Sequence, residues 1–326
     1  MKGLPVSSSI ARDLPRALVR ILCASACVVV LPFAAQANGP ANNIASSGPA
    51  SSPAANAAGD ETFTPMLGQL GKDVMWLPTP DALMDKMLMV ARITPQDVVY
   101  DLGAGDGKMA IAAARQFGAR AIGIEYNARM ADLARRNAAR AGVANRVRII
   151  QGDFFNEDFS DATVVLLYLL EDINQRLRPT ILSLPPGTRV VSNTFSMGDW
   201  EPDQVLTAVS AGNGPVSTGY FWVVPAQVQG DWLVQGLDGS QAVRLSLSQR
   251  YQHIAGLLTT AGKTQALLGA SLQGAELQFR FVDASGQLKS AKARMAGNVL
   301  QGEVIAPYGQ LETPQLPVPF AGQRLR

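Results

Sequence analysis

Residues 75–195 predict a doubly wound α/β fold on a parallel sheet, and three observations carry that prediction. Short apolar runs rich in β-branched residues alternate with segments of helical character. A glycine-rich turn, Gly103-Ala104-Gly105-Asp106-Gly107, stands directly after the first run. Acidic residues mark the ends of three successive runs, at Asp101, Glu125 and Asp153.

Taken in order, Asp97–Leu102 reads as a strand stopped by Gly103, and Lys108–Phe117 as a helix ended by Gly118. Ala119–Glu125 repeats the strand, and Asn127 is placed to cap a helix through Arg140, with Gly142 as its stop. Val147–Gln151 gives a third strand. Thr163–Leu170 is nearly continuously apolar, as a central strand covered on both faces should be. Ile173–Leu184 supplies a helix and Arg189–Phe195 closes the series. Such alternation places a ligand beyond the carboxyl ends of the strands. From Gln227 the pattern changes to the alternation of Val243, Leu245 and Leu247, with turns at Asp238-Gly239, Ala261-Gly262 and Ser285-Gly286. This predicts a small antiparallel β module over 227–326. Gly269–Gly274 and Gly297–Gly302 share a Gly-x-x-Leu-Gln-Gly pattern that suggests two related hairpins, and the tail after Pro307 reads as loose.

The N-terminus reads as an export signal over 1–37. A basic stretch ending at Arg20 precedes the apolar run Ile21–Ala35, and Ala35-Gln36-Ala37 has the small-x-small form of a cleavage site. The run falls short of the roughly 20 apolar residues of a spanning helix, which disfavours an uncleaved anchor in the inner membrane. Residues 38–60 are almost all Ala, Ser, Asn, Gly and Pro and predict a disordered linker. A domain over 61–226 follows. The expected location is therefore exported and periplasmic; a start of translation near Met66 would make the product cytoplasmic.

Composition removes several chemistries. The only cysteines, Cys23 and Cys27, lie in the apolar segment, and His253 is the only histidine, so disulfides, thiolate nucleophiles, multi-His metal sites and His-based triads are excluded from a processed chain. Lys2, Arg12, Arg16 and Arg20 against Asp13 contribute +3 to the formal charge of +2, which leaves −1 beyond residue 37. A near-neutral body argues against nucleic acid as the partner.

The glycine turn alone suits a tight strand-to-helix turn, or a dinucleotide site, but the dinucleotide fingerprint wants glycine where Lys108 stands. Glu125, twenty residues after Gly105, is placed to accept hydrogen bonds from ribose hydroxyls, and Asp153 with Phe154 to meet an adenine amino group and ring.

These residues resemble the class I methyltransferases that use S-adenosylmethionine. More closely, the chain looks like a bacterial group related to the seven-strand protein-lysine methyltransferases of ATP synthase subunit c and to Dot1-like enzymes. The resemblance rests on Leu77-Pro78-Thr79-Pro80, Val99–Gly107, Gly123-Ile124-Glu125, Gly152-Asp153, Leu167–Leu170 and Met197–Trp200. It implies a Rossmann-like seven-strand sheet with S-adenosyl-L-methionine as cofactor. Asp101, Gly103, Gly105 and Gly107 would hold its methionine end, Glu125 its ribose, and Asp153 with Phe154 its adenine. Leu77–Pro80 would form part of the lid over the cofactor, with Thr79 a candidate contact. Relatives carry proline after the Tyr-Leu-Leu run, where this chain has Glu171. Tyr168 is the candidate catalytic residue, facing an amine acceptor through its ring or hydroxyl; Glu171 or Asp172 would assist deprotonation. Trp76, Trp200 and Trp222 read as packing residues. The expected reaction is N-methylation of a protein lysine or another amine, with membrane or envelope proteins as candidate acceptors. The alternatives are an exported binding protein that keeps the fold without turnover, and a nicotinamide-dependent oxidoreductase.

Overall fold

The computed structural model describes residues 63–72, 74–209, 214–239, 241–305 and 316–325. The export segment over 1–37 and the linker over 38–60 lie outside these residues.

The first half is a seven-stranded sheet. Its strands are β1 (Val98–Leu102), β2 (Arg120–Glu125), β3 (Val147–Gln151), β4 (Val164–Leu167), β5 (Arg189–Asn193), β6 (Gln204–Val209) and β7 (Val216–Val223), in spatial order 3-2-1-4-5-7-6. Strands β1 to β5 pair in parallel and β7 is antiparallel to both neighbours. The predicted strands and helices lie here within a few residues of their expected bounds. Helices α1 (Asp81–Val90), α2 (Lys108–Phe117) and α3 (Ala128–Arg140) pack on one face through Leu83, Met87, Ala110, Ala113, Ala131 and Ala134. Of the described helices, only α4 (Glu171–Leu182) joins the other face, where Phe154, Phe159, Trp200 and Trp222 complete the cover. Asn127 caps α3 as predicted, its side-chain oxygen accepting from the amides of Arg129 and Met130.

Strand β4 ends three residues before its predicted bound. Tyr168, Leu169 and Leu170 leave the sheet, and Leu170 enters α4 in extended conformation. An apolar run signals burial equally well in a strand and in the turn after it, so periodicity does not see this exit.

The second half is larger than the small module expected. Nine strand segments follow: β8 (Gly230–Asp238), β9 (Gln241–Arg250), β10 (His253–Thr260), β11 (Lys263–Ala266), β12 (Leu268–Gln273), β13 (Glu276–Val282), β14 (Leu288–Ala296), β15 (Val299–Ile305) and β16 (Val318–Arg324), in order 11-10-9-8-16-15-14-13-12. Only Leu267 separates β11 from β12. One bent strand thus pairs with β10 through its first part and with β13 through its second. The Gln265 side chain seals the joint, its amide donating to the Val282 carbonyl at 2.7 Å and its oxygen accepting from the Val282 amide at 2.9 Å. The result is a closed up-and-down antiparallel barrel of eight strands, which leaves no free edge. Its interior is filled by Trp232, Leu245, Leu258, Phe279, Phe281, Leu300 and Phe320, the packed outcome open to a barrel of this size.

Two expectations for this half are corrected. The tail after Pro307 is not loose throughout, because Val318–Arg324 is the strand that closes the barrel between β15 and β8. Pro319 is tolerated there because β16 pairs with β8 only from Ala321 onward, so its missing N–H is not needed. The Gly-x-x-Leu-Gln-Gly segments are not equivalent hairpins. The first runs along β12 into its turn at Gly274, whereas the second starts at the turn, Gly297, and runs into β15. They share only a buried leucine, Leu272 and Leu300.

Candidate active site

A cavity of ≈ 260 Å³ opens at the carboxyl ends of β1 to β4, where the strand order turns from 3-2-1 to 4-5. Thr79, Asp101, Gly103, Gly105, Glu125, Asp153, Phe154 and Tyr168 all line it. Gly107 does not. It stands behind the turn at the start of α2 with φ 84°, and an added Cβ would meet the Ala134 Cβ of α3 at 3.0 Å. Gly107→Ala is therefore expected to destabilise the fold by about 1–3 kcal/mol through strain and overpacking, with cofactor affinity nearly unchanged. Urea unfolding alongside calorimetry checks this; lost affinity at normal stability would make Gly107 a direct contact.

The glycines that do line the cavity are there for close approach. Gly103 has φ 86° and lies against Leu169; Gly105 has φ 56° and an added Cβ would strike the Trp76 indole at 2.7 Å. Trp76 is thus a cavity residue, whereas Trp200 and Trp222 are fully buried packing residues as expected.

Asp101 is buried, and its Oδ2 has no hydrogen-bond partner. Burial, with Asp106 and Glu125 as neighbouring charges, pushes its carboxyl up to about 7. Glu125 accepts from the Gly105 amide at 2.9 Å and the Asn127 amide at 2.8 Å. Burial raises its pKa, and these amides act against the rise. Two of the four lone-pair directions of the carboxylate are used, and two remain for a pair of hydroxyls. Asp153 is held below the usual carboxylate range by Lys72, whose Nζ lies 2.5 Å from Oδ2.

A short hairpin that the sequence did not announce precedes Leu77–Pro80. The Gly68 amide donates to the Trp76 carbonyl, the Trp76 amide to the Gln69 carbonyl, and Leu70 bridges Met75. Thr79 is anchored twice, its hydroxyl accepting from Asn193 at 3.2 Å and its carbonyl from Lys108 Nζ at 2.6 Å. Lys72, Trp76, Lys108 and Asn193 are the functional residues that spacing could not find. Lys72 and Trp76 reach the cavity, and Asn193 reaches Thr79, from other parts of the chain, whereas Lys108 directly follows the glycine turn and is found by its bond to the Thr79 carbonyl. Glu171 and Asp172 do not line the cavity. Glu171 is exposed at the start of α4 and accepts from the Ser196 hydroxyl at 3.1 Å.

A buried acid with one orphaned oxygen at a glycine turn suits a cationic ligand group and opposes a pyrophosphate, which disfavours the dinucleotide reading. Comparison with known proteins agrees. The family profile described as "ANTKMT methyltransferase domain" matches residues 101–204. A protein-lysine N-methyltransferase of Saccharolobus islandicus is 42% identical over 135 residues, covering 41% of this chain and 84% of that protein. The chain belongs to this methyltransferase family. The adenine nucleotide translocase lysine N-methyltransferase of Mus musculus is 35% identical over 125 residues, and the match spans 38% of this chain and 54% of that enzyme. A crystal structure titled as an RNA methyltransferase from Salinibacter ruber in complex with S-adenosyl-L-homocysteine is 48% identical, covering 47% of this chain and 96% of that one with a TM-score of 0.43.

This methyltransferase depends on S-adenosylmethionine, and its residues fit that cofactor. The orphaned Asp101 Oδ2 suits an ammonium group, the spare lone pairs of Glu125 suit two ribose hydroxyls, and Asp153 beside Phe154 suits an adenine. Acids outnumber bases around the cavity, as a sulfonium with an ammonium would favour.

Proposed function

We propose that this methyltransferase N-methylates lysine side chains of proteins. The observation that carries the reading is the apolar part of the cavity lining: Tyr168, Leu169, Leu170, Phe195, Leu77 and Pro78 add aromatic and aliphatic surface to the polar groups at the strand ends. Such a slot accepts the methylene stem of a lysine and disfavours its ammonium form. The two lysine-methylating relatives support the same acceptor class.

Bound S-adenosylmethionine supplies an activated methyl group on a sulfonium. The chain's own residues then have three tasks. Asp101, Glu125 and Asp153 fix the cofactor from three strand ends. The lid excludes water, with Trp76 over Gly105 and Lys72 tied to Asp153. Tyr168 and Phe195 align the incoming amine for in-line displacement. The three strand-end carboxylates are taken up by the cofactor, so the lysine gives its proton to water before it enters, and the rate should rise with pH toward the lysine pKa.

The apolar run and the Ala35-Gln36-Ala37 site support acceptors in the cell envelope, and an N-terminus at Asn38 in native protein would bear out processing. The acceptor class is tested by incubating an extract of membrane and envelope proteins with methyl-labelled cofactor and mapping the label by mass spectrometry. Label on lysine side chains supports the reading. Label confined to RNA, or to other side chains, overturns it.

A further inference from the structure

The connection from β5 to β6, Thr194–Asp203, carries Phe195 to the acceptor wall, with its ring centroid 6.5 Å from that of Tyr168. Thr194 has φ 65°, a left-handed conformation that a threonine keeps only where its surroundings fix it. Thr194 itself is held by its amide donating to the Thr218 carbonyl at 2.8 Å and its hydroxyl donating to Asn193 Oδ1 at 2.8 Å. Two further groups of residues hold the stretch beyond it. From α4, the buried Asn174 donates to the carbonyls of Phe195 (3.1 Å) and Ser196 (3.2 Å). From the barrel, the turn between β9 and β10 reaches the same connection. The Tyr251 ring stacks on Trp200 at 6.0 Å and 23°, and its hydroxyl donates to Asp199 at 3.1 Å. Gln252 accepts from the Trp200 indole at 3.0 Å and donates to the Glu201 carbonyl at 2.7 Å. Arg178 of α4 ties the two groups together, donating to the Met197 carbonyl at 2.6 Å and to Asp199 at 2.5 Å. The face of the sheet beside β5 and β7 is covered here by Trp200, Trp222 and this turn. The family match ends at residue 204, and the barrel lies beyond it.

We propose that the β9–β10 turn is a positioning element for methyl transfer: Tyr251 and Gln252 hold the β5–β6 connection so that Phe195 faces Tyr168 across the acceptor slot. This rests on the reading of that wall as the acceptor side. Among the described residues, no hydrogen bond joins Tyr251 or Gln252 to Asp101, Glu125 or Asp153, so acceptor and cofactor effects are separable.

The test uses the full chain with Tyr251→Ala, Tyr251→Phe and Gln252→Ala, followed by hydrogen exchange, S-adenosylhomocysteine calorimetry and methyl transfer to poly-L-lysine. In Tyr251→Ala, exchange of the 194–200 amides should quicken about tenfold or more while β1 to β4 stay protected. Homocysteine-ligand affinity should stay within about twofold, and the KM for poly-L-lysine should rise about fivefold with kcat little changed. Tyr251→Phe keeps the stack on Trp200 and should recover most of the loss. Unchanged exchange at 194–200 overturns the proposal, as does cofactor affinity that falls in parallel, since Tyr251 would then serve general stability. A parent protein inert toward poly-L-lysine would count against the lysine reading alone, and the exchange and calorimetry results would still decide this one.

Discussion

Asp101→Asn is expected to weaken S-adenosylhomocysteine binding about a hundredfold or more at pH 8, while the free protein becomes more stable. The affinity falls because the ligand's ammonium loses a buried charged partner, a change that costs about 2–5 kcal/mol in comparable settings. The stability rises because the carboxyl is buried with an unpaired oxygen and holds its proton up to about 7, above its ordinary 3.8. The sign follows from that shift. With the folded-state value raised, the stabilising contribution of this group is complete below the ordinary value and is lost as pH climbs through about 7. At pH 8 the parent therefore carries the full cost of an ionised Asp101, and the amide does not. Binding runs the other way. The ammonium needs the ionised acid, so affinity in the parent should drop about tenfold per pH unit below 7 and level off above it. Calorimetry from pH 5.5 to 8.5 with urea unfolding reads both. A steep profile that persists in Asp101→Asn would assign the proton to another group.

Tyr168→Ala should lower kcat/KM by about a hundredfold or more while S-adenosylhomocysteine affinity stays within a few-fold. That is about 3 kcal/mol of lost alignment at the transition state. The tyrosine is half-buried in the cavity wall, so its ring is a lining surface as well as a packing one. No hydrogen bond from its hydroxyl is seen among the described residues. Tyr168→Phe is accordingly expected to keep activity within about tenfold, which would assign the role to the ring. Should Phe be as damaging as Ala, the hydroxyl carries it. Should both variants lose cofactor binding instead, Tyr168 belongs to the fold and not to the reaction.

The parallel half was readable because its signals are local. Asn127, Gly118 and Gly142 punctuate helices wherever they occur, and an acid at each of three strand ends stays three residues in one place once the strands are parallel. The lid was only partly readable. Leu77–Pro80 came from resemblance, whereas Lys72 meets Asp153 across 81 residues of chain, and nothing near Lys72 encodes that meeting. The barrel shows the same limit. Alternation gave the strands, but closure depends on Leu267 breaking one strand into two pairings, on the Gln265 amide acting as a piece of backbone, and on Phe320 filling the interior from a segment whose proline content reads as loop.

The late position of β16 has a consequence for how the polypeptide comes together. The seven-stranded sheet is complete in sequence at Val223, so it can assemble while the barrel is still being synthesised. The barrel cannot close until Val318–Arg324 has emerged from the ribosome, and until then β8 and β15 each expose an unpaired edge. A nascent chain stalled or clipped before Val318 would therefore hold an assembled catalytic sheet attached to an open, sticky one. Such a product would be recognisable by its self-association and not by a missing active site.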